Sequence, residues 1–307
     1  MSSSARKVAW VREQYESAHD RGSVNLLDDL CDEATDHTWL WLLASHGGPR
    51  ASNVEFTVAV RLRIGADIAA EDQECACCGS SLDRMCLHAS RCAPGESNRG
   101  HYSVCSVVHG LASLADASSS LEPTGLVPSR PALRPADVLT SAAFCLPEAL
   151  DICVASPDSA GAGINVCISA AARKSTHYKE VLEELRAEGY DYKPLIWTCW
   201  GRPSLDAQAA IRTLAAVAAR RRGLSSPVPL ETRARALIGA QIWRRAALMV
   251  LSCLLRSAAS DAVDLLPAED WRDDVGSDGS GAAVEELGVS AADASRLAAA
   301  VGPPDFS

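Results

Sequence analysis

The stretch "LRPADVLTSAAFCLPEALDICVASP", residues 133–157, decides how this chain is read. It holds two short apolar runs, each interrupted by a carboxylate. Asp137 follows Arg-Pro-Ala, and Asp151 sits inside Ala-Leu-Asp-Ile-Cys-Val, which otherwise has the composition of a buried strand. Side chains alternate along a strand, so Leu150, Ile152 and Val154 share one face and Asp151, Cys153 and Ala155 share the other. The thirteen residues between the two aspartates allow a strand, a turn and an antiparallel partner. Strands are therefore predicted over 137–141 and 149–155. Two carboxylates converging in this way suit a hard divalent cation such as Mg²⁺; the other reading is a structural accident in an apolar run.

Working outward, "NVCISAAARKSTHYKEVLEELRAEG" (165–189) predicts one helix closed by Gly189. At about 100° per residue, Ala171, Tyr178, Val181, Leu182 and Leu185 form an apolar stripe, and Lys174 falls inside it, one turn from Tyr178. An inward lysine is explained by two metal-binding aspartates, or else it snorkels to the surface. "YKPLIWTCWG" (192–201) predicts a strand. Two long helices follow, over 204–223 and 230–258. The order strand, strand, helix, strand, helix predicts an α/β layer.

Before the opening stretch, helical spacing recurs over 8–22, 24–45 and 101–117, while "NVEFTVAVRLRIG" (53–65) fits helix or strand equally. Residues 118–135 are a Ser- and Pro-rich loop with room for a short strand. Between these lies "ECACCGSSLDRMCLHASRC". Cys75-x2-Cys78 offers two thiolates from one tight turn, with Gly79 suited to the corner, and His88-x3-Cys92 offers two more donors one helical turn apart. Four N/S donors in this pattern predict a structural Zn²⁺ site, the loop being too small to bury a core of its own. Cys77 and Cys86 are spare thiols in the same window, and a buried cluster of unligated thiols is the other reading.

Composition sets the limits. The chain has 307 residues, 48% of them hydrophobic, enough for one large core or two smaller ones. No secretory h-region is visible, so the twelve cysteines are expected to be reduced. "AALMVLSCLL" (246–255) is too short to cross a membrane and reads as a buried helix face. An intracellular, nuclear or cytoplasmic protein is expected, without a membrane partner; oligomeric state stays open. The net charge of −10 hides an asymmetry. Residues 202–256 carry ten arginines against Asp206 and Glu231, a net of +8, and residues 257–307 carry eleven acids against Arg272 and Arg296, a net of −9. Arginine without lysine in the basic segment favours phosphate contact over a merely solvated surface.

Two aspartates, a lysine and a divalent metal suit phosphodiester hydrolysis: the metal activates water and neutralises charge on the phosphate, and the lysine orients the water or stabilises the transition state. Taken in order, the Cys75, Cys78, His88, Cys92 knuckle, "RPAD" ending at Asp137, Asp151, the Lys174-x3-Tyr178 pair, "LEPTGL" (121–126), "KPLIWTCWG" and "IWRRAALMVLSCL" resemble the C-terminal part of non-LTR retrotransposon polyproteins that carry a restriction-enzyme-like endonuclease. The resemblance covers residues 40–256. It implies a PD-(D/E)xK restriction-endonuclease-like core, a small mixed sheet flanked by helices, that nicks DNA to prime reverse transcription. The chain departs from that pattern at Ala136, between Pro135 and the acid, and at Cys153, where many such nucleases keep their lysine.

The implied plan is a helical segment over 1–70, a remnant of a polymerase–endonuclease linker; a CCHC knuckle over 71–100; the endonuclease-like domain over 101–225; a C-terminal helix over 226–260; and an acidic, partly disordered tail over 261–307. The resemblance makes Asp137, Asp151, Lys174 and Tyr178 the catalytic set, with Mg²⁺ on the two aspartates and Glu122 as a possible third acid. Arg134, Arg220, Arg221, Arg222, Arg244 and Arg245 are expected to hold DNA or the element's RNA. No aromatic-x-Asp-Asp polymerase motif occurs, so a truncated element or a gene derived from one is expected. The alternatives are a catalytically inactive nucleic-acid-binding remnant and a helical scaffold.

Overall fold

The computed structural model describes residues 21–44, 51–75, 77–92, 94–142, 146–157 and 165–260. Most of the first expected helix (8–22), residues 143–145 of the opening stretch and the acidic tail (261–307) lie outside them.

The single helix expected over 24–45 is two, α1 (Arg21–Cys31) and α2 (Trp39–Ala44). Two aspartates divert the backbone between them: Asp32 accepts the N–H of Ala34 at 2.8 Å and Asp36 that of Thr38 at 2.7 Å. Such local bonds compete with the helical ladder. The undecided stretch is helix α3 (Asn53–Ile64), set by a reciprocal capping box between Ser52 and Glu55 and closed by Gly65 in the left-handed region at φ 67°. A two-residue hairpin, β1 (Gln73–Glu74) with β2 (Ser81–Leu82), leads to a 3₁₀ turn over Leu87–Arg91 and helix α4 (Pro94–Ala115).

The sheet follows: β3 (Ser120–Leu121), β4 (Val138–Thr140) and β5 (Glu148–Ala155). Next come α5 (Val166–His177), α6 (Lys179–Ala187), β6 (Asp191–Thr198), α7 (Leu205–Arg221) and α8 (Val228–Ser260). The one helix expected over 165–189 breaks at Tyr178, which has left helical geometry at φ −96°, ψ 5°. The Thr176 hydroxyl donates to the carbonyl of Ala172 at 2.8 Å in the last turn before the break. Strand order is β3-β4-β5-β6, antiparallel except for the parallel pair β5–β6. A parallel pair needs a crossover, which α5 and α6 supply.

The protein is mixed α/β, with helices on both faces of this small sheet. Val138, Leu150, Ile152, Leu195 and Trp197 bury one face against α4, α7 and the first half of α8. On the other face Ala149 meets Val181 and Leu185 of α6, and Ala155 and Ile196 meet Val166 and Ala170 of α5. A second core joins α1–α3, the hairpin and the rest of α8. At its centre Trp39 stacks on Trp243 at 5.0 Å, and Trp200 lies 5.7 Å from Trp243. Gly239 lets the two helices approach closely there: a Cβ at that position would lie 3.3 Å from Trp39, which would have to shift by a few tenths of an ångström. Helix α8 therefore ties the segments expected as separate units into one another. Its span Val228–Leu255 is long and apolar enough to cross a membrane, but 67% of its apolar window is buried inside the fold, as for a core helix.

Candidate functional site

The register of β4 on β5 pairs Val138 with Leu150 and ends there, with Asp137 as the residue just before β4. The Asp137 N–H donates to the Leu150 carbonyl at 2.9 Å, so Asp137 and Val138 both face Leu150 at this strand end. Asp137 then departs from the ladder. Its side-chain Oδ2, rather than a carbonyl, accepts the Ile152 N–H at 2.6 Å, while its own carbonyl accepts the N–H of Glu122 at 2.7 Å. The resemblance to an interrupted Pro-Asp motif thus falls at a strand end whose carboxylate is held by backbone.

Asp151 is the more deeply placed acid, its side chain 5% exposed. Lys174 Nζ donates to Oδ1 at 2.8 Å and the Tyr192 hydroxyl donates to Oδ2 at 2.6 Å. Burial pushes the Asp151 carboxyl above the ordinary aspartate range, against the pull of Lys174 and Tyr192 and with that of Asp137. For Lys174, burial works against the charge, but Asp151 outweighs it and the net shift is upward. The expected inward lysine is therefore brought to the expected aspartate, with its side chain still 29% exposed.

The other members of the expected set sit differently. Tyr178 meets Lys174 through the backbone, its N–H donating to the Lys174 carbonyl at 3.1 Å, while its hydroxyl donates to the Arg134 carbonyl at 3.3 Å and its ring meets Tyr192 edge-on at 5.7 Å. Tyr192 holds Asp151 and was missed: "YDYK" reads as the polar start of a strand, and only the parallel register, with Asp151 beside Pro194, brings the side chain two residues earlier to the acid. Burial, then the Asp151 charge, push the Tyr192 hydroxyl well above the usual tyrosine range, so it stays a donor. His101 was missed too. It lies one turn before Cys105 on α4, and its Nε2 is 3.1 Å from Asp137 Oδ1. Helical spacing alone could have flagged this His-x3-Cys pair, the same pattern as in the knuckle. Glu122 is ion-paired with Arg134 at 2.9 Å.

In the knuckle, the donor atoms of Cys75, Cys78, His88 and Cys92 all lie within 4.8 Å of one another. The hairpin aims them: the Gly79 N–H donates to the Cys75 carbonyl at 2.7 Å, with Gly79 at φ 71°. Cys75 Sγ lies 3.6 Å from Cys92 Sγ, and Cys78 Sγ 3.0 Å from His88 Nε2. Tetrahedral zinc with ordinary bond lengths would separate two thiolates by about 3.8 Å and a thiolate and imidazole by about 3.6 Å. The group is compatible with zinc. Hydrogen bonds from Ser80, side chain first and then backbone, lower the Cys78 thiol to about 6, favouring the thiolate a metal needs. Of the spare thiols, Cys86 is buried and pushed up to about 12 by that burial. Cys77 lies 3.9 Å from Cys253 of α8.

The arginines divide. Arg220, Arg221 and Arg222 are exposed at the end of α7, although Arg221 also donates to the Ala115 carbonyl. Arg244 and Arg245, expected to face DNA, turn into the helix interface instead. Arg244 pairs with Glu55 of α3 at 3.4 Å, and Arg245 packs on α4, where a Cβ at Gly100 would lie 2.3 Å from its side chain. The reason is that α8 is enclosed along this stretch, and an arginine there must lay its stem against neighbours.

Against protein-family models, characterised proteins and solved structures alike, the chain finds no match.

Proposed function

We propose that this protein is a metal-dependent DNA endonuclease that nicks phosphodiesters, with a PD-(D/E)xK-like core and a structural zinc knuckle, derived from a non-LTR retroelement. The observation that carries the reading is that Asp137, bonded to β5 on either side of Asp151, lies beside that acid, with Lys174 2.8 Å from Asp151. The small mixed sheet flanked by helices supports it. Asp137 and Asp151 would hold Mg²⁺, since both offer hard oxygen donors. When bound, such an ion neutralises phosphate charge and generates the attacking hydroxide. Lys174, partly exposed and held on Asp151, would donate to a phosphate oxygen, where its charge stabilises the developing negative charge. Tyr192 fixes the Asp151 carboxylate, and Tyr178 braces Tyr192 rather than Lys174. Arg220, Arg221 and Arg222 would meet the DNA backbone, with RNA of the element as a possible second ligand, in an intracellular setting.

One observation favours a second reading, an inactive nucleic-acid-binding remnant: both Asp151 oxygens are already engaged, by Lys174 and Tyr192. A plasmid-nicking assay with Mg²⁺ or Mn²⁺ separates the two. Nicking by the wild type that is lost in Asp137→Ala and Asp151→Ala is expected; nicking that survives both substitutions sinks the assignment, and retained DNA binding without nicking favours the remnant. DNA affinity should fall steeply with salt if phosphates dominate binding.

A further inference from the structure

Besides the knuckle, one group on the sheet side brings three different donors together. His101, Cys105 and Asp137 have their donor atoms within 4.8 Å of one another. His101 Nε2 lies 3.1 Å from Asp137 Oδ1 and 3.5 Å from Cys105 Sγ, and His101 Nδ1 lies 3.9 Å from the same sulfur. Tetrahedral zinc with ordinary bond lengths would hold a nitrogen and an oxygen about 3.3 Å apart and a nitrogen and a sulfur about 3.6 Å apart. The observed separations match both. No group of three such donors among the described residues contains both Asp137 and Asp151.

We propose that His101, Cys105 and Asp137 form a three-ligand site for a borderline divalent cation of the zinc type, with a fourth position open to water or a phosphate oxygen. Its place in phosphodiester cleavage rests on the endonuclease reading above. Two features of the fold make the site. Helix α4 presents His101 and Cys105 on one face, four residues apart, toward the end of β4. Asp137 is already anchored through Oδ2 to the Ile152 N–H, which leaves Oδ1 aimed at His101. Access fits an open coordination position: the His101 side chain is 31% exposed and that of Asp137 20%, while Cys105 is buried.

The donor set selects the metal. One imidazole, one thiolate and one carboxylate favour zinc or cobalt over Mg²⁺ or Mn²⁺, which prefer oxygen donors. Burial, with the charges of Asp137 and Glu122, raises the Cys105 thiol; a bound cation reverses that bias and takes the thiolate. This site replaces the Asp137–Asp151 ligand pair of the reading above: Asp151 would stay with Lys174 and Tyr192, beside the ion rather than on it. That resolves the crowding of Asp151, because the ion enters on the side of Asp137 that the lysine does not occupy.

The first test is metal content. Full-length protein loaded with zinc and dialysed into metal-free buffer should hold two zinc ions per chain by mass spectrometry. His101→Ala and Cys105→Ala should each hold one, with unfolding monitored by circular dichroism. One ion in the wild type, or two in both variants, overturns the proposal. Should a variant fail to fold, cobalt titration of the wild type decides: a second equivalent with a cobalt–thiolate absorption band supports the site, and its absence overturns it. Nicking then separates this inference from the reading beneath it. Cleavage supported by Zn²⁺ or Co²⁺ and lost in His101→Ala supports the inference. Cleavage with Mg²⁺ that is unchanged in His101→Ala overturns it while leaving the endonuclease intact. Two bound zinc ions without cleavage keep the metal site and sink the endonuclease.

Discussion

The knuckle takes its four donors from one stretch of chain, residues 75–92, whereas the acids of the sheet take their partners from α4, β5, α5 and β6. In the knuckle, backbone turns around Gly79 aim the ligands, and little of the local chain is apolar. On the sheet, Asp137 and Asp151 sit at the rim of a core that buries Leu150, Ile152 and Leu195 completely. A cluster built locally depends on its ion for shape. One built from distant elements depends on the packing of those elements, and the ion is a passenger on a preformed frame.

Chelation should expose this contrast most strongly. Removing zinc should unfold the hairpin and loosen the core around Trp39, Trp200 and Trp243, because Cys75, Leu82, Cys86 and Leu87 belong to that core. Structural zinc contributes roughly 10 kcal/mol or more in isolated finger peptides, so the loss should exceed that of any single substitution below. Hydrogen exchange with and without chelator would check it: protection should drop in residues 51–92 and persist in β4, β5 and β6. Uniform loss across both regions would break the distinction.

Next in size is Trp243→Ala, which removes the ring between Trp39 and Trp200 and should cost about 3–5 kcal/mol in urea unfolding.

Lys174→Met comes third. It leaves a buried carboxylate with Tyr192 as its remaining partner and should cost about 2–4 kcal/mol at pH 7, at the low end of what breaking a buried pair costs because Lys174 is partly exposed. The pH dependence has a definite sign. Asp151 has its folded value raised by burial, so the folded state binds the proton more tightly than the unfolded chain and stability falls as pH rises through that value. Without Lys174 this effect grows, so the deficit of the variant should shrink when unfolding is measured near pH 4 instead of pH 7. Lys174, raised in the fold by Asp151, contributes stability that is present below its ordinary 10.5 and lost as pH rises through its folded value, a loss the variant should lack.

Smallest is Ser52→Ala, which opens the capping box of α3 and should cost about 1 kcal/mol, seen as a shift in the urea midpoint with unchanged slope.

The comparison also explains what could be read directly. The knuckle was legible residue by residue because its donors are close in sequence and their spacing is their geometry. The strand-turn-strand around Asp137 and Asp151 was legible from alternation, and Lys174 from its place in an apolar stripe. Tyr192 and His101 were not, because neither spacing nor polarity links them to the acids. The break at Tyr178 escaped because the apolar stripe continues across it, and that at 32–38 because the apolar runs on either side were read as one helix, whereas Asp32 and Asp36 divert the backbone there.

By itself, then, the sequence determined the α/β class, the four knuckle donors, the strand that carries Asp151, the strand that begins just after Asp137, and the inward lysine. All of these rest on local periodicity or short spacing. Tertiary structure alone decided that Asp151 is shared between Lys174 and Tyr192, that His101 and Cys105 face Asp137, and that Arg244 and Arg245 turn inward. Those contacts join residues 23 to nearly 200 positions apart, and only the β5–β6 register and the packing of α4 and α8 bring them together.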